Sequence, residues 1–175
     1  DRNSYWNLWY PSSAGGQFTL KPSDALVAKL NNPAIGGTRN ALIAGSGATV
    51  YGVLYNTTST STDPSYLIRI AELYLIRAEA RAQQNHLAAA AGDLNAIRKR
   101  ADVPETAATT QADLIKAIED ENGIEFAFEA HRWFDLVRTE RAGVVLGLTN
   151  KNYWLFPIPY SDVLSDPDVT QNPGY

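Results

Sequence analysis

Residues 124–141 read Ile-Glu-Phe-Ala-Phe-Glu-Ala-His-Arg-Trp-Phe-Asp-Leu-Val-Arg-Thr-Glu-Arg, and this stretch decides the fold. Phe126, Ala127, Ala130, Trp133, Phe134 and Val137 recur at the spacing of one wide apolar helical stripe. Glu125, Glu129, Arg132, Asp135 and Arg138 fill the remaining surface. Upstream, Leu114, Ala117, Ile118, Ile124 and Phe128 form a second stripe, which falls roughly opposite the first on a straight helix. Two readings follow. Either one helix is sandwiched between neighbours, or the chain kinks at Asn122-Gly123, where helix propensity is poorest. Both make this segment the hub of a helical core, with Trp133 and Phe134 in it. Glu121 falls inside the second stripe. A lone carboxylate there is costly, so it needs an arginine, with Arg98, Arg100 and Arg132 as candidates.

Before the hub the pattern is again helical. From Tyr66 onward Leu67, Ile70, Ala71, Tyr74, Leu75, Ala78 and Ala82 share one face, with Leu73 and Ile76 beside it. Asn85-His86 reads as a short turn. Leu87, Ala90, Ala91, Leu94, Ile97 and Ala101 then form the face of a second helix, ended by Asp102-Val103-Pro104. The four alanines at 88–91 let two backbones approach closely. The pair is an antiparallel hairpin, and its small-residue pattern resembles a tetratricopeptide unit. Thr110 followed by Asp113 marks the start of the next helix.

Residues 1–65 look irregular and rich in loops. Ser12-Ser13-Ala14-Gly15-Gly16 is a loop. Ser23 caps a short helix through Leu30, with Asp24 near its positive end. Ala48 to Tyr55 is rich in Val and Tyr and predicts a strand. Asn56 to Asp63 is a surface loop that contains the glycosylation-acceptor pattern Asn56-Thr57-Thr58, common by chance. At the other end, Tyr153-Trp154-Leu155-Phe156-Pro157-Ile158-Pro159-Tyr160 is an aromatic tail that its prolines keep from being helical. The predicted class is therefore mainly α, built from tetratricopeptide-like hairpins of the α-α superhelix type. Residues 1–65 are irregular, residues 66–175 helical, and an extended Pro-rich tail lies over the helices.

Composition narrows the function. The 175 residues carry a net charge of −4, with no basic footprint, which argues against nucleic acid. There is no Cys, so disulfides and thiolate metal sites are excluded. No apolar run is long enough to span a bilayer. The chain begins at Asp1 and contains no Met, which suggests a mature form or a piece of a longer product.

Several segments together resemble the SusD/RagB family of glycan-binding outer-membrane lipoproteins. They are Arg69-Ile-Ala-Glu-Leu-Tyr-Leu-Ile-Arg-Ala-Glu-Ala80, Leu94-Asn-Ala-Ile-Arg-Lys-Arg-Ala101, Glu125 to Arg138, Leu155-Phe-Pro-Ile-Pro159 and Thr170-Gln-Asn-Pro-Gly-Tyr175. Their order matches the family's C-terminal part, and the resemblance is specific over about residues 66–175. Two departures stand out: Glu121-Asn122-Gly123 replaces the family's usual Glu-Arg-Arg, and Ala130 replaces its usual Gly. The resemblance implies a cell-surface glycan-binding component of a nutrient-uptake system, working with a TonB-dependent, SusC-like transporter. It also implies export to the outer membrane on a lipid anchor absent from this chain, no cofactor and no chemistry.

Sugar recognition uses aromatic faces against C–H surfaces and polar groups for hydroxyls. Tyr5, Trp6, Trp9 and Tyr10 are the carbohydrate-binding candidates; packing inward is their structural alternative. Glu125 and Glu129 are four residues apart on one helix face, whereas a glycosidase places its carboxylates on either side of a sugar. Arg-bonded or solvated carboxylates are the better reading. Glu129, His131 and Asp135 lack a further ligand spaced to close a metal site, and His86 sits in a turn. The second functional reading is a helical scaffold that binds protein through the hairpin groove. An enzyme comes third, because no nucleophile, base and acid come together.

Overall fold

A computed structural model describes residues 5–57 and 62–175. Its contacts gather into two compact units that divide between Glu129 and Ala130.

The first unit begins with α1 (Tyr5–Trp9) and α2 (Asp24–Asn31). Ser23 caps α2 as its sequence position predicts, accepting from Leu26 N at 3.2 Å. The strand expected over 48–55 shrinks to a two-residue antiparallel ladder, β1 (Ile43–Ala44) with β2 (Tyr51–Gly52). Val50 and Tyr55 are buried, so these β-branched and aromatic residues serve packing rather than a long ladder. The loop expected over 56–63 lies partly outside the described residues, as does Thr58 of the acceptor pattern. At its described ends, Thr57 N and Oγ1 donate to the Asp63 carboxylate at 2.8 and 2.7 Å.

The hairpin is α3 (Ile70–Gln83) and α4 (Leu87–Arg100), joined by a tight turn in which Asn85 has φ 61°. Ala71, Leu75, Ala78 and Ala82 of α3 meet Ala90, Leu94 and Ile97 of α4 in one buried cluster. The small side chains bring the helices close, and Asp93 on α4 is clamped by Arg77 and Arg81 of α3, each at 2.7 Å. The first helix starts four residues later than expected. Leu67 is 90% exposed, and Ile70, Leu73 and Ile76 are exposed as well. Leu67, ahead of α3, and Ile70, its first residue, therefore do not join the buried face they were expected to share.

The hub divides. Helix α5 (Gln111–Glu125) is capped by Thr110, whose Oγ1 accepts from Asp113 N at 3.2 Å. It runs through Asn122-Gly123 unbroken, so the break does not fall there, as one of the two readings had it. The chain leaves the helix at Phe126–Ala130 instead, where Phe128 and Ala130 take φ 71° and 57°. The second stripe holds as far as Ile124: Leu114, Ile118, Ile124 and Glu121 are buried, Ala117 packs partly buried against the hairpin's core, and Phe128 falls outside the helix and is half-buried. The first stripe does not survive the break. Phe126 and Ala127 are buried in the first unit, but Ala130 is exposed and Phe134 is 65% exposed. A helix restarted after a turn has a new phase, so 126 and 134 no longer share a face.

The second unit holds α6 (Arg132–Arg138), α7 (Ala142–Leu146) and α8 (Tyr160–Ser165). Trp133 is half-buried and lies 6.0 Å, centroid to centroid, from Phe156 of the Pro-rich tail. Trp154 donates to the Leu148 carbonyl at 2.8 Å. Gln171, Asn172 and Tyr175 bond the backbone of Ile158, Phe156 and Leu155, which pins the extended tail.

Candidate functional site

The four candidate aromatics sit on and just after α1. Each packs ring to ring: Tyr5 stacks on Tyr55 at 4.8 Å, Trp6 meets Tyr10 edge-on at 5.8 Å, Trp9 meets Phe128 edge-on at 4.9 Å, and Tyr10 lies 4.9 Å from Tyr51. Trp6, Trp9 and Tyr10 are half-buried and Tyr5 is half exposed. Gly52 makes the arrangement possible, since a Cβ there would meet the Phe128 ring at 2.7 Å. The α1 segment is also tied down, with Gln17 N and Leu20 N donating to the Asn7 and Leu8 carbonyls at 2.7 and 2.9 Å. Sequence reasoning found one side of this cluster and missed Tyr51, Tyr55 and Phe128. The Tyr51/Tyr55 pair was visible, but read as ladder rather than as aromatic backing. Burial pushes the Tyr10 phenol up, helped by Tyr51 and Asp63. Burial likewise pushes Tyr55 up, helped by Glu129, Tyr5, Tyr66 and Asp63.

Beside the cluster lies an ion network. Glu121 is paired with Arg98, as one of the expected partners, and with Arg39, which sequence reasoning missed. Arg39 also reaches Glu125 at 3.2 Å, and Arg100 pairs with Glu125 too. Arg69 joins Glu125 and Glu129, at 2.5 and 2.9 Å, and its guanidinium lies 4.4 Å above the Phe126 ring. Burial alone pulls Arg69 down, but its hydrogen bonds to Glu129 and Glu125 outweigh that and hold it above its ordinary value. Arg39 arrives from a 3₁₀ turn (Gly37–Leu42) stitched to the end of α4, where Thr38 N donates to the Ala101 carbonyl at 2.9 Å. Gly37 sits at φ 55° with the Ala101 oxygen 2.0 Å from where a Cβ would be, so only glycine permits this approach.

This arrangement uses the carboxylate pair as ion-pair partners. Glu125 and Glu129 are both held by Arg69, ion-paired to one guanidinium rather than set on either side of a sugar. Asp135 is bonded by Arg132 and Arg138 on its own helix. Among the described residues no group of three His, Asp or Glu is placed to hold a metal ion, and no helix is long and apolar enough to cross a membrane.

Comparison with known proteins agrees with the motifs. The starch-binding protein SusD of Bacteroides thetaiotaomicron is 37% identical over 122 residues, covering 62% of this chain and 21% of that protein. A laminarin-binding SusD-like protein of known structure superposes with a TM-score of 0.66 at 28% identity, covering 87% of this chain and 38% of that one. A SusD-like protein from Bacteroides fragilis gives 0.55 at 28% identity, covering 62% of this chain and 25% of its own. The chain thus spans about a fifth to a quarter of the length of the curated relatives it matches. The sequence profile of the SusD family matches residues 28–153, more than half of the chain, and the chain belongs to that family.

Proposed function

We propose that this chain is part of a glycan-capture protein that binds oligosaccharide at the cell surface without cleaving it. The platform is the aromatic group Tyr5, Trp6, Trp9 and Tyr10, backed by Tyr51, Tyr55 and Phe128. The observation that supports this reading is the backing itself. Ring-on-ring packing pre-orders the platform, so less conformational entropy is lost when a sugar stacks on it. The relatives named for starch and laminarin binding point to neutral glucans as first ligands to try. The captured glycan passes to a TonB-dependent outer-membrane transporter, and the assembled protein is held at the outer membrane by a lipid anchor.

Titration of the chain with malto- and laminari-oligosaccharides by saturation-transfer NMR tests the platform. The expected affinity is weak, a Kd of about 1 mM or above. It should disappear in Trp6→Ala or Trp9→Ala. Micromolar binding that survives both substitutions would move the site elsewhere, and release of shorter sugars would replace binding by catalysis.

A further inference from the structure

The ion network floors an open cleft of about 460 Å³. That is within the range of small-molecule sites, about 300–1,000 Å³. Its lining includes Arg39, Arg69 and Arg100 against Glu125 and Glu129, so cations exceed anions by one. Two of the three arginines are spent. Arg39 uses Nε on the Gly36 carbonyl, Nη2 on the Ile35 carbonyl and Nη1 on Glu121 and Glu125. Arg69 uses all three nitrogens on Glu125 and Glu129. Arg100 is different. Its side chain is 55% exposed, and among the described residues only Nη2 is engaged, on Glu125. A guanidinium with one donor used keeps a fork of two parallel N–H groups for a planar anion. Tyr66, half exposed, offers a ring at the same cleft, and Ala41, Leu42 and Leu54 give it an apolar wall.

We propose that this cleft binds the carboxylate of an acidic saccharide, with Arg100 forking the carboxylate and Tyr66 stacking on the sugar ring. The proposal rests on the glycan-binding reading but concerns a different site and a charged ligand. Across the network, Glu121, Glu125 and Glu129 are matched in number by Arg39, Arg69 and Arg98, so the half-exposed Arg100 brings one positive charge in excess to the cleft.

The test is NMR titration of the chain with trigalacturonate and with its methyl ester, which keeps the sugar rings and replaces each carboxylate charge by a neutral ester. Binding of the acid is expected to be at least tenfold tighter than that of the ester and to weaken with added salt. Arg100→Gln should cost the acid its advantage, and Arg100→Lys should restore part of it by charge without the fork. Tyr66→Ala leaves the ion network intact and should weaken binding severalfold, so the proposal stays testable if Arg100→Gln fails to fold. Equal binding of acid and ester overturns it, as does acid binding unchanged in Tyr66→Ala. Absence of acid binding at about 50 mM ligand, far beyond the millimolar scale of weak sites, does so too. Because the acid–ester difference reads charge, its absence leaves the neutral-glucan platform standing. Loss of neutral binding in Trp6→Ala, in turn, leaves the cleft standing.

Discussion

Arg39 donates to Glu121 at 2.5 Å across 82 residues of sequence, and the two side chains are 6% and 1% exposed. This contact fastens the irregular N-terminal half to the helical core. A buried pair in the low-dielectric interior is held by geometry, and removing one partner strands the other. Glu121→Gln is therefore expected to lower stability by about 3–5 kcal/mol, read from urea unfolding. An unchanged midpoint would mean that the network adds nothing to the fold.

Gly37 and Gly47 form a matched pair. Both have φ 55°, but a Cβ at Gly37 strikes the Ala101 carbonyl, while a Cβ at Gly47 meets nothing within 4 Å. Alanine at either position carries the left-handed penalty of about 1–2 kcal/mol. Only Gly37→Ala adds overpacking, roughly 1–3 kcal/mol more. Because Gly37 leads into the turn that delivers Arg39, the larger loss should also loosen the ion network. Comparing the two melting temperatures isolates the steric part, and equal losses would refute the close approach.

Trp133 and Phe156 are 6.0 Å apart, joining α6 to the Pro-rich tail. Because Trp133 is half-buried, Trp133→Ala should cost less than the 3–5 kcal/mol typical of a fully enclosed Trp, about 2 kcal/mol. A double-mutant cycle with Phe156→Ala should give a coupling of about 0.5–1.5 kcal/mol. A coupling of zero would show that the tail does not rest on this ring.

The contrast between these sites shows what the sequence could tell. The hairpin faces from Ala71 onward, the caps at Ser23 and Thr110 and the burial of Glu121 were legible because helical periodicity and capping are local, whereas Leu67 and Ile70, read onto the same face, are exposed. The break at 126–130 was not. Asn122-Gly123 are the weakest helix formers nearby, yet Asn122 is buried in α5 and tertiary packing overrides propensity. The actual exit uses Ala130 at φ 57°, a conformation glycine adopts without strain and where the family usually has glycine. Reading that departure as a backbone demand would have placed the break. Arg39 was hidden for another reason: nothing local distinguishes an arginine in a Gly-rich turn from a solvated one. The aromatic cluster was half legible, since clustering at Tyr5–Tyr10 is visible in sequence but the rings packed against it come from residues 51, 55 and 128.

The tyrosines of that cluster are expected to make stability depend on alkaline pH. Burial comes first among the causes that raise Tyr55 and Tyr10 above the ordinary 10.0. A raised value means that the folded chain holds its phenol protons more tightly than the unfolded chain does. The resulting stabilisation is complete below the unfolded value and is lost as pH rises through the folded one. Melting temperature should accordingly fall once pH passes about 10, and Tyr55→Phe should make that fall shallower, because the ring stays and the ionisable hydroxyl goes. Lysines and other tyrosines titrate in the same range, so the informative quantity is the difference between the two pH profiles. Superimposable profiles for Tyr55→Phe and the unaltered chain would mean that Tyr55 ionises as freely in the fold as out of it, and that the ring stacked on Tyr5 is open to water.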